Sequence, residues 1–219
     1  MNAQRTLPDP VAGAQRIFRA VLDALSRPTR PVAIDGASVI ADAPAALGPA
    51  VASIAFACCD DSTPVWLDAV LACDEEVRAW IAFRTGAPLT TEPAAAAFAF
   101  AAAAETLPAL DAFAPGSDEA PHTSTTIVLA TGTASGDASG ITSAGVVLAD
   151  GPGFPEPREW TPPAALPQDF VEQWAANHAR FPRGVDLLLV DDDGVTGLPR
   201  TTSLRLAPLA PGSGSGEVR

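Results

Sequence analysis

The chain has 219 residues, a formal net charge of −13 and 47% hydrophobic residues, a composition that builds a packed core and argues against global disorder. All 13 basic residues are arginine, which excludes a lysine Schiff base to pyridoxal phosphate and a phosphate loop ending in Gly-Lys-Ser/Thr. With no basic cluster against its acidic balance, the chain is a poor match for nucleic acid or an anionic membrane surface, because both select cations.

One domain is expected at this length, with roughly 70% of the unfolded surface buried. Asp9-Pro10 supplies a helix cap and a first-turn proline, and Phe18, Val21, Leu22 and Leu25 then recur at helical spacing. This predicts an amphipathic helix that ends before Pro28, with Arg16, Arg19 and Asp23 outward. A short strand is expected at residues 31–34. Asp42-Ala43-Pro44 is read as the start of a second helix through Ala57, apolar on nearly all sides and therefore buried. Its apolar stretch is interrupted by Pro44, Gly48 and Pro49 and is too short to span a bilayer.

Residues 63–67 read as a strand with Pro64 at its start. Asp74 is expected to cap a third helix, with Val77, Trp80 and Ile81 inward and Gly86 closing it. The alanine tract at residues 94–104 has helical composition but alternates Phe98 and Phe100, and a strand is expected at 97–100. A short helix is expected around residues 107–113, strands at 125–130 and 141–148, and a turn-rich connector at 132–140. Pro167-Gln168-Asp169 opens a helix in which Phe170, Trp174 and Asn177/His178 share a side. The longest aliphatic run, 185–190, and the run 195–198 flank Asp193-Gly194, a hairpin signal. The domain is expected over residues 1–210, with a disordered Gly/Ser-rich tail at 211–219. Helices alternating with strands, then strands clustering, predict an α/β fold with a mixed sheet.

The hairpin delivers Arg200, Thr201 and Thr202 to a strand end. A guanidinium fork beside two hydroxyls suits phosphate, yet such residues also cap loops or face solvent. Arg84 lies at a helix C-terminus, where the helix dipole alone is sufficient reason for it, and a ligand or interface role is the other reading. Cys58, Cys59 and Cys73 form neither a disulfide framework nor a CxxC pair. A hydrolase built on Cys58 or Cys59 would need a histidine and an orienting group, and neither His122 nor His178 is near in sequence. Neither histidine sits in a recognisable metal-ligand spacing, and Asp191 to Asp193 lack that of a calcium loop. Trp160 lies in the proline-rich stretch 155–167, readable either as an exposed docking surface or as loop packing. The opening residues MNAQRTLPDP lack a signal peptide pattern, so a cytoplasmic protein is expected.

Several blocks carry a resemblance. FPRGVDLLLV followed by LPRTT, with RIFRAVLDALSRP, STPVWL, FRTGAPLTTEP and GPGF in the same order, resembles PhnH, a subunit of the bacterial carbon–phosphorus lyase system. Arg84 departs from that pattern, since family members often carry histidine there. The resemblance implies a three-layer α/β/α sandwich similar to pyridoxal-phosphate-dependent transferases but without the cofactor, and a homodimer when alone. It implies work with PhnG, PhnI and PhnL in transferring ribose triphosphate from ATP to methylphosphonate, upstream of PhnJ, the radical iron–sulfur subunit that cleaves the carbon–phosphorus bond. No catalytic residue, metal or cofactor is expected on this chain, whose role is then structural. The alternatives are phosphate contact through Arg200, Thr201, Thr202 and Arg84, or a free-standing nucleotide- or phosphonate-binding protein or hydrolase.

Overall fold

A computed structural model describes residues 10–34, 40, 42–132, 145–163, 166–191 and 194–207. Asp9, most of the predicted connector at 132–140, the start of the predicted strand at 141–144, Asp192, Asp193 and the expected tail at 211–219 lie outside these residues.

Helix α1 spans Pro10–Ser26, and strand β1, Pro31–Val32, follows it. The buried side of α1 is Ile17, Val21 and Ala24, while Phe18 and Leu22 face solvent. That corrects the expected inward face by about one residue step. The cause is close approach: a Cβ on Gly197 of the strand beneath would lie 2.5 Å from the Ala24 carbonyl carbon. The small residues Ala24 and Gly197 therefore set which side of the helix faces the sheet.

Helix α2, Pro49–Cys58, starts seven residues later than Asp42, because residues 44–48 form turns that end at Gly48 with φ 72°. As expected for an all-round apolar helix, it buries every residue from Val51 to Ala55. Strand β2, Val65–Leu67, leads into helix α3, Ala69–Cys73, which the sequence reading lacked. Helix α4, Glu75–Thr85, is capped by the Asp74 carboxylate accepting from the Glu76 and Val77 amides, and it ends at left-handed Gly86. Strand β3, Leu89–Thr90, is a second element the sequence reading lacked.

The alanine tract forms strand β4, Phe98–Ala101, flanked by 3-10 turns at Pro93–Ala95 and Ala104–Thr106. Phe98 and Phe100 stack on one face with ring centroids 6.2 Å apart, and the alanines fill the other face. The predicted short helix is only a 3-10 turn, Leu110–Ala112. Strand β5 is Thr126–Ala130, β6 Val147–Asp150 and β7 Arg158–Trp160. Trp160 is thus not in an exposed loop; it lies in a strand, half-buried against the core. Helix α5, Phe170–His178, buries Phe170, Trp174 and Asn177, and the hairpin is β8, Asp186–Val190, with β9, Val195–Leu198. Strand β10, Ser203–Leu206, closes the described chain.

Among the described residues, seven strands form one mixed sheet in the order β1-β9-β8-β5-β4-β2-β3, parallel from β3 to β8 and antiparallel at β9. Alternation sends Phe100, Val128 and Leu188 into a core with α1, α2 and α4. Ala99, Ile127 and Leu187 enter a second core with α5 and a three-stranded sheet, β10-β6-β7. No helix among the described residues is long and apolar enough to cross a membrane.

Candidate functional site

Open α/β sheets take ligands beyond the carboxyl ends of their parallel strands, where successive connections leave in opposite directions. Here β2 connects outward to β3 while β4 connects inward to β5, so that point lies between the ends of β2 and β4. It is filled by Asp68, fully buried at the end of β2. One Asp68 oxygen accepts from the Leu71 amide at 2.8 Å and caps α3. The other accepts from the Ala102 amide at 2.8 Å, at the end of β4, and from the Thr106 hydroxyl. A buried carboxylate with three donors is a satisfied structural group. Sequence reasoning passed over Asp68; its position two residues before an aliphatic stretch, between a strand and a helix, was the available signal.

Arg200 sits at the opposite end of the parallel strands, after β9 and beside the start of β8. Its guanidinium grips the Asp186 carboxylate with two bonds, Nε at 3.1 Å and a terminal nitrogen at 2.5 Å. The Arg200 amide also donates to Asp186 at 2.7 Å, and its other terminal nitrogen donates to the Pro121 carbonyl at 2.7 Å. The pair is 13% and 16% exposed, so little water competes for it. Around it, His178 Nδ1 lies 2.9 Å from the Arg200 carbonyl oxygen, and the Trp174 indole donates to the Thr202 carbonyl at 2.8 Å.

Asn177 completes this network. Its amide donates to the Val185 carbonyl at 2.9 Å and accepts from the Val185 N–H at 2.8 Å. Gly184 makes room for that exchange: φ is 126°, and a Cβ there would fall 2.9 Å from Asn177 Oδ1. The FPRGV and LPRTT phrases are therefore joined in space through α5. Thr202 is fully buried, its hydroxyl without a hydrogen-bond partner among the described residues, and Thr201 is half-buried.

Arg84 lies elsewhere, paired with Asp42 across 42 residues of sequence. That hydrogen bond is the main reason the Asp42 carboxyl sits below its ordinary 3.8; partial burial opposes it. The buried Trp80 indole nitrogen adds a smaller lowering from nearby without completing a hydrogen bond of good geometry. The structure brings Arg200, Thr201 and Thr202 together and keeps Arg84 apart from them.

Burial pushes the Cys58 thiol up to about 11 and raises Cys59 further, with Cys58 and Asp60 adding to the latter. Both are therefore protonated, weak nucleophiles at neutral pH. Cys73 is exposed. Among the described residues, no cluster of three or more His, Cys, Asp or Glu is placed to hold a metal ion. A cleft of about 180 Å³ opens between α5 and the Leu110–Ala112 turn, lined in part by Asp111, Asp169, Gln173 and Arg180, and none of the predicted phosphate contacts reaches it. Gln173 itself is engaged, accepting from the Leu110 amide at 3.0 Å.

Residues 5–205 match the family described as bacterial phosphonate metabolism protein (PhnH). The chain is also 39% identical over 196 residues to the α-D-ribose 1-methylphosphonate 5-triphosphate synthase subunit PhnH of Rhizobium meliloti (strain 1021), covering 90% of this chain and 92% of that one. A match of that extent, running through α1, the buried network around Arg200 and the closing hairpin, places the chain in the PhnH family.

Proposed function

We propose that this chain is the PhnH-type subunit of an α-D-ribose 1-methylphosphonate 5-triphosphate synthase and that it serves the assembly by its fold and surfaces rather than by reacting groups. The observation that carries this reading is the internal commitment of its polar side chains. Asp68 fills the place where a doubly wound sheet takes its ligand, and Arg200 is bound by Asp186 and Pro121. Phosphate contact through Arg200 would compete with Asp186 and Pro121 for all three of its side-chain nitrogens, and contact through Arg84 would compete with Asp42.

In this reading the partners are the PhnG, PhnI and PhnJ homologues, with PhnL, and the protein is cytoplasmic and dimeric when alone. The finer fold is a three-layer sandwich of the pyridoxal-phosphate transferase type. Its support is a mixed sheet covered on both faces, one of them by helices, and its lack of lysine fits a scaffold without the cofactor. Co-expression with the PhnG, PhnI and PhnJ homologues of the same organism tests the assignment. Co-purification as one assembly is expected; a chain that elutes alone from all three contradicts it.

A further inference from the structure

We propose that the solvent face of α1 is the surface by which this chain docks on another protein subunit, one that meets it with an apolar patch flanked by acidic side chains. The inference rests on the subunit reading above and adds to it a face and a partner chemistry. At 100° per residue, Phe18 and Leu22 fall within about 40° of one another on the helix. They are not the core side: Ile17, Val21 and Ala24 are buried and Leu25 packs against the core, whereas Phe18 is 46% and Leu22 50% exposed. A half-exposed aromatic and a leucine one turn apart form the kind of anchor that interfaces bury at their centre.

Charge decides what covers them. Residues 10–34 carry four arginines against one aspartate, a net +3 in a chain of net −13. Arg27 is neutralised by Asp23. Arg16, Arg19 and Arg30 are exposed and form no ion pair among the described residues. Arg19 lies beside the apolar stripe and Arg16 beyond it on the same flank. A second copy docking face to face would set these arginines against their own kind, which like-charge repulsion opposes. A membrane or nucleic acid would spread its negative charge well beyond the arginine flank over a molecule of net −13, whereas a protein surface can confine its acidic groups to that flank. An acidic protein surface with an apolar centre satisfies both the stripe and its flank.

The test uses the full chain co-expressed with the PhnG, PhnI and PhnJ homologues. Two double variants alter the face, Phe18→Asp with Leu22→Asp, and Arg16→Glu with Arg19→Glu. Arg180→Glu, an exposed arginine at the end of the helix on the other side of the large sheet, is the control. With melting temperatures matched to wild type, each double variant is expected to retain at least about tenfold less partner, while wild type and Arg180→Glu assemble alike. Equal assembly of all four, or equal loss in Arg180→Glu, overturns the inference and leaves the subunit reading standing. If wild type fails to assemble, the subunit reading fails and the inference falls with it. If the double variants break a dimer of the isolated chain yet still join the assembly, the face belongs to a second copy and the inference is wrong.

Discussion

Arg200 and Asp186 form the ion pair on which the closing hairpin is fixed. Removing one partner leaves a nearly buried charge alone, which costs about 3 kcal/mol. Arg200→Ala and Asp186→Ala are each expected to lower the urea midpoint accordingly, and the double variant to cost less than their sum by about 1–3 kcal/mol. Additive losses would mean that the pair is not coupled. Cys58 supplies a pH dependence. Its thiol ionises at the ordinary 9.0 when unfolded and at about 11 when folded, so the unfolded chain loses its proton first. The sign follows: this contribution is fully present below pH 9 and is lost as pH rises through about 11. Thermal melts from pH 8 to 11 should fall less steeply in Cys58→Ala than in wild type; identical slopes count against a buried thiol. These partners were not legible in the sequence. Arg200 was singled out for its fork, but Asp186 lies 14 residues away across the hairpin and Pro121 lies 79 away. Spacing arguments see neither.

Elements were read best where local chemistry alone decides them. The Asp74 cap, left-handed Gly86 and the β8–β9 hairpin each depend on residues within a few positions. Strand β4 was legible because alternation of Phe98 and Phe100 outweighs alanine's helix propensity once both faces of the sheet are covered. The face of α1 was not legible. Side-chain size favoured Phe18 and Leu22, whereas backbone approach to β9 selects Ala24, and no local pattern reports on a strand 173 residues later in the chain. Gly197→Ala tests that account directly. Its Cβ meets backbone rather than a yielding side chain, so a loss of about 3 kcal/mol in urea unfolding is expected. Gly132→Ala, with nothing within 4 Å, should stay within about 0.5 kcal/mol. Equal costs would show that α1 does not rest on β9 at this point. The small sheet β10-β6-β7 escaped prediction for a related reason. Its strands have three or four residues each and pair β10 with β6 across more than fifty positions.

For the whole molecule, family membership and internal geometry bear on the role together. The family was legible because its ordered phrases sit where structure demands them: FPRGV and LPRTT are both held by α5, the first by Asn177 and the second by Trp174 and His178, and a Cβ on Gly153 of GPGF would touch Pro28 of the first block. On the proposed reading, a fold that spends Asp68 and Arg200 on itself holds partners in place and does not hold a triphosphate by itself. Titration calorimetry of ATP, and separately of methylphosphonate, into the isolated full-length chain tests that claim most directly. The account predicts no saturable heat for either ligand. Saturable binding of ATP that disappears in a folded Arg200→Ala variant would contradict it and assign phosphate contact to the hairpin end.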